Sequence, residues 1–229
     1  MKYSGSIAGE LSGSLGGITA SRNRGGPFLR MRVTPTNPNT ALQSIIRTIT
    51  QYLAVAWANS LTQDQRDAWD NWNLQTPGFP GTGIDAYVRC NLPRMYCDEV
   101  FASTLGVFDD PPLTFDVGSF TPIAITTIDA SASQITFTFE NTDTWAILDG
   151  GGLFIYASPP VNGSRKNYFG KYNLLGVVPG DTTTPPTSPK VISTPFTAVV
   201  GQRVFVKVRA TQADGRLSAI QRLSALVTA

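Results

Sequence analysis

The chain has 229 residues, 41% hydrophobic and only 15% charged, with a formal net charge of +2. Charged residues usually make up about a quarter of a globular chain, so small and neutral polar residues must supply much of the surface here. The absence of histidine removes Ser-His-Asp triads, Cys-His dyads and every His-based zinc site. Two cysteines cannot build a Cys₄ cluster, no run approaches the ~18 apolar residues of a membrane span, and residues 1–6 lead into glycine and serine, so no cleaved secretory signal is expected. The chain is read as non-enzymatic, with no cofactor and no metal.

Charge is unevenly spread. Residues 1–35 carry five bases against one acid, residues 36–118 four against nine, and residues 119–229 nine against six. A basic arm beside an acidic middle points to self-complementary or partner-directed electrostatics. Three segments also differ in texture, giving an α+β multidomain chain: an extended β-hairpin arm over 1–35, a small helical domain over 36–118 and an all-β domain over 119–229.

The arm is rich in small residues, with Gly5, Gly9, Gly13 and Gly17 recurring every fourth position. In a water-exposed helix each glycine would cost ~1 kcal/mol, so extended structure is expected. Ile18 to Ser21 and Phe28 to Val33 read as two strands around the turn Asn23-Arg24-Gly25-Gly26-Pro27. Alternation places Phe28, Arg30 and Arg32 on one face and Leu29, Met31 and Val33 on the other. The apolar face has no core of its own and should dock elsewhere. Together with Arg22 and Arg24 these residues form the candidate partner-binding arm. Its arginines fit salt links to acidic partner surfaces, and too few aromatics interleave them for nucleic-acid binding. Gly13-Ser14-Leu15-Gly16-Gly17 lacks the lysine of a phosphate loop, and close backbone approach is the better account of its glycines.

The middle reads as three helices. Asn37 can cap the first with Pro38 at its first position, and Leu42, Ile45, Ile46, Ile49, Tyr52, Leu53, Ala56 and Trp57 follow helical spacing. Thr62-Gln63-Asp64-Gln65 reads as a capping box opening a second helix with Ala68, Trp69 and Trp72 on its apolar face. A third should begin after Thr82, with Pro93 kinking or ending it. Trp57, Trp69 and Trp72 are read as a helical core or subunit interface. Cys90 and Cys97 lie too far apart on a continuous helix for a disulfide and are read as buried free thiols. Asp98-Glu99 and Asp109-Asp110 are adjacent in sequence and read as exposed linkers, and nothing in the sequence sets them facing each other across a cleft as glycosidase carboxylates must.

Strands are expected at 121–128, 134–140, 152–157, 168–177, 190–197, 203–210 and 219–228. Alternation is clear in Ile135, Phe137 and Phe139, and again in Val204, Val206 and Val208. Seven short strands suit a two-sheet sandwich. Trp145 falls in an expected loop, where its ring could meet a glycan.

Two resemblances follow. The run from Gly13 to Arg30, with Pro35-Thr36-Asn37-Pro38-Asn39-Thr40 after it, resembles the start of a family of tailed-bacteriophage structural proteins that pair a glycine-rich arm with Asn-Pro-X-Thr and a helix. Leu61-Thr62-Gln63-Asp64-Gln65-Arg66-Asp67-Ala68-Trp69 is similar to a Leu-Thr-X-X-Gln-Arg-X-X-Trp pattern in the same proteins. The C-terminal segment resembles a fibronectin type III or immunoglobulin-type sandwich. The first resemblance implies a virion structural protein, with a capsid cement or decoration role expected first. Its partners would be the phage major capsid protein and copies of itself, as a dimer or trimer on the capsid exterior. The alternatives are a tail, baseplate or fibre-attachment component, and a carbohydrate-binding adhesin using loops around Trp145 and Asn162-Gly163.

Overall fold

The computed structural model describes residues 12–23, 26–34, 36–76, 81–97, 109–112 and 120–228. Among them the chain is mixed α/β, with four helices and three antiparallel sheets. It divides into two compact units, Met1–Ala41 and Leu42–Ala229.

In the first unit the glycine-rich segment forms one strand more than alternation alone indicates. Strands β1 (Gly13–Leu15), β2 (Ile18–Asn23) and β3 (Gly26–Met31) pair in that order. Leu15 pairs with Ile18 across a two-residue turn, and Gly16 takes φ +58 there, the left-handed value that the first position of a tight hairpin turn favours. The glycines are not explained by close backbone approach. A Cβ added at Gly13, Gly16, Gly17 or Gly26 would meet nothing within 4 Å, whereas Gly13, Gly16 and Gly26 all hold positive φ. Backbone conformation, not close approach, selects Gly13, Gly16 and Gly26. Arg24, Gly25 and Pro35 lie outside the described residues.

Helix α1 spans Ala41–Asn59, three residues later than the Asn37 cap with Pro38 at the first position predicts. The Asn37 side chain instead accepts from the Asn39 backbone N–H at 3.3 Å, and Asn39 holds φ +47, outside the helical basin. Helix α2 (Gln63–Gln75) opens on the expected box: the Gln65 N–H donates to Thr62 Oγ1, and the Thr62 N–H donates to Gln65 Oε1 at 2.9 Å. Helix α3 (Gly83–Cys97) runs through Pro93 rather than ending there. Cys90, Asn91, Arg94 and Met95 are buried around Pro93, and their packing offsets the hydrogen bond that proline cannot donate. Ile49, Leu53, Leu61, Trp69, Ala86, Tyr87, Cys90 and Met95 form the helical core.

Beyond residue 120 a strand overlaps each expected segment: β4 (Ala124–Asp129), β5 (Gln134–Thr138), β6 (Gly152–Ala157), β7 (Asn173–Pro179), β8 (Lys190–Ser193), β9 (Arg203–Thr211) and β10 (Gln221–Leu226). They form two sheets, β10-β9-β6-β7 and β4-β5-β8. Both contribute to one cluster in which Ile135, Phe137, Leu153, Ile155, Val204, Val206 and Val208 are fully buried. The largest boundary shift is at β7, because Tyr168 and Tyr172 precede the strand and pack on each other edge to face. One short helix, α4 (Thr144–Ile147), stands where a loop is expected.

The third helix joins the helical and β regions. Its Tyr96 stacks on Phe154 of β6 with ring centroids 5.9 Å apart. Gly152 has no room for a side chain, since a Cβ there would run into Cys97 Sγ. A Cβ at Gly215 would likewise run into the Cys90 carbonyl. Both cysteines are buried and free, and burial pushes each thiol up to about 12.

Candidate interaction surfaces

The arm sheet has two unlike faces because its register aligns like with like. Leu15, Ile18 and Met31 are cross-strand partners in one row, and Gly13, Ala20 and Leu29 form the next row on the same face. The first row is open to solvent: Leu15 is 87% exposed, Ile18 49% and Met31 80%. On the reverse face lie Ser14, Thr19 and Arg30, with the two hydroxyls 3.0 Å apart. Phe28 shares that polar face and is half-buried, as is Leu29 on the other. Arg32 and Val33 follow β3 and are exposed, although the Arg32 N–H still bonds the Gly17 carbonyl at 2.8 Å. The described arginines are not one patch: Arg22 shares the apolar face, across from Pro27, while Arg30 lies on the reverse.

Every defined position of Leu61-Thr62-Gln63-Asp64-Gln65-Arg66-Asp67-Ala68-Trp69 has a structural job. Leu61 is buried, and Thr62 with Gln65 closes the capping box. The Arg66 guanidinium donates to the carbonyls of Trp57, Ala58 and Leu61 at 2.8 to 3.0 Å. It thereby satisfies the end of α1, where intrahelical donors run out. Trp69 is fully buried and donates from Nε1 to the Asp109 carbonyl at 3.0 Å. It meets Trp72 and Tyr87 edge-on at 5.9 and 5.5 Å. Trp57 packs on Tyr87 at 5.4 Å, and Trp57 and Trp72 are half-buried. The motif builds a helical hairpin around an aromatic core.

Trp145 does not offer its ring to a glycan. It is fully buried, packs on Phe139 at 5.3 Å and is held by the Asp143 carboxylate. Its loop reading fails because the short helix α4 turns the ring into the core. Asn162 caps its own loop, accepting from Ser164 N–H and hydroxyl. The carboxylates of Asp109 and Asp110 sit on exposed residues, and Asp98-Glu99 lies outside the described residues. Among the described residues no three Cys, Asp or Glu converge as a metal site, and no helix is long and apolar enough to cross a membrane.

Sequence reading missed an apolar hollow of about 270 Å³ where α1, α3 and the larger sheet meet. Leu42 and Ile46 line one wall, Leu92 and Pro93 a second, and Phe154 and Tyr156 a third. The helical spacing of Leu42 and Ile46 signals an apolar face, but nothing local shows that this end of α1 overhangs its core. No family model, curated protein or solved structure matches the chain.

Proposed function

We propose that the chain is a structural protein of a tailed-phage virion, first a capsid cement or decoration protein that clamps neighbouring major capsid subunits. The observation that carries the interaction role is the open Leu15–Ile18–Met31 row, an ordered sheet face of large apolar side chains. The sequence likeness of the arm and of the Leu61–Trp69 pattern to phage structural proteins carries the virion assignment. A partner covering the row would remove apolar surface from water at about 25 cal/mol per Å². Exposed Arg22, on the same face, suits a carboxylate-bearing shell. The apolar hollow beneath Leu42 offers a second contact of the same character. The two sheets beyond residue 120 are read as an immunoglobulin- or fibronectin III-like sandwich that projects outward, and copies of the chain are expected to associate as a dimer or trimer.

Copy number per purified particle, measured by quantitative mass spectrometry against the major capsid protein, tests this reading. A ratio near one supports a cement protein. A handful of copies would move the chain to the tail or baseplate, and absence from particles would overturn the virion reading. Leu15→Asp and Met31→Asp alter exposed side chains and should leave the fold intact while lowering incorporation.

A further inference from the structure

A second surface has a different chemistry. Between residues 150 and 229 there are nine lysines and arginines against only Asp181 and Asp214. The outward face of the larger sheet gathers part of this charge, since Val204, Val206 and Val208 point into the core and Phe205, Lys207 and Arg209 alternate with them. Register sets Arg222 of β10 beside Lys207 of β9. The loop before β7 folds over these residues and leaves a groove of about 510 Å³, within the usual range for small-ligand sites.

The groove is held in shape by its own aromatics. Phe205 lies beneath Tyr168, stacked at 5.9 Å and 17°. Tyr172 meets Tyr168 edge-on at 5.1 Å, and Lys207 Nζ sits 3.9 Å from the Tyr172 ring centre. The Tyr168 hydroxyl donates to the Lys171 carbonyl at 3.1 Å, pinning the loop. From that loop Phe169 projects 95% exposed, and Lys166 lines the groove with Arg222. Among the described residues neither Lys166, Lys207 nor Arg222 has a carboxylate partner.

We propose that this groove binds an acidic polysaccharide, with Phe169 lying against the C–H face of a sugar ring and Lys166, Lys207 and Arg222 facing its carboxylates. Neutral glycans would leave the three cations unmatched. Single-stranded nucleic acid needs ring faces in series on which successive bases stack. Here Lys207 covers one face of Tyr172 and Phe205 one face of Tyr168, both rings are half-buried, and Phe169 is the one ring of the three that is fully exposed. One ring with several cations suits a charged sugar. The inference does not depend on the virion reading.

Binding of the full chain to polygalacturonate, dextran and a twenty-residue oligothymidylate, by calorimetry at low and moderate salt, tests it. Polygalacturonate should bind, more weakly as salt rises, and dextran should not. Phe169→Ala and Arg222→Gln should each weaken binding about tenfold, with unchanged thermal melts. Lys190→Gln, a charge removed from β8 in the other sheet, should have no effect. The proposal is overturned if polygalacturonate fails to bind, if dextran binds as well, or if Lys190→Gln weakens binding as much. Tighter binding of the oligothymidylate, lost with Phe169→Ala, would make the groove a nucleic-acid site instead.

Discussion

Tyr87 is fully buried between Trp57 and Trp69, and its hydroxyl has no hydrogen-bond partner among the described residues. An unmet buried hydroxyl costs ~1–3 kcal/mol, so removing it loses nothing. Tyr87→Phe should therefore leave the urea midpoint unchanged or raise it. Arg66 is the opposite case. Its guanidinium serves three carbonyls at the α1–α2 junction, and Arg66→Ala should destabilise by about 2 kcal/mol. Helical circular dichroism against urea reads both. The buried thiols set an alkaline limit: Cys90 and Cys97 are raised from 9.0 to about 12 by burial. Their neutral forms contribute stability that is full below pH 9 and is lost as pH rises towards 12. The urea midpoint should fall between pH 8 and pH 11, and the double Cys→Ala variant should fall less. Native chain should resist a thiol reagent at pH 8 and react once unfolded.

At the scale of elements, α3 carries the most weight because the helical and β regions both lean on it. A side chain at Gly152 would run into Cys97 Sγ, and one at Gly215 into the Cys90 carbonyl. Gly152→Ala places a methyl where sulfur already stands, and should cost ~1–3 kcal/mol, read as a lowered thermal midpoint. Adding Cys97→Ala should restore part of that loss, since the second change vacates the same space. The capping box and the strand alternation were legible beforehand because both are local patterns. The later start of α1 was not: Pro38 after Asn37 reads equally as a helix start or as an Asx turn, and the left-handed Asn39 selects the turn. Nor was α4, whose single turn is too short to show a period.

Across the whole molecule, both hydrophobic clusters and all four tryptophans lie within residues 42–229. Removing residues 1–35 should leave the tryptophan fluorescence melt within about 4 °C of the full chain. The same truncation should abolish whatever association the Leu15–Ile18–Met31 row supports, read as a smaller species by light scattering. A large drop in the melt would show that the arm stabilises the second unit instead.

What the amino-acid order determined by itself is the division of labour along the chain. A glycine-rich arm cannot build a core, residues 42–57 carry helical spacing, and alternating Val204–Val208 makes a strand whose one face must be buried. Each is decided by neighbours a few positions apart. Tertiary structure alone decided that Trp145 is core, that Trp69 bonds the distant Asp109 carbonyl, and that α3 is wedged against glycines far along the chain. It also decided that Tyr168, Tyr172, Lys207 and Arg222 share one groove. Those outcomes depend on which distant surfaces exclude water together, and periodicity shows which face is apolar without showing what it meets.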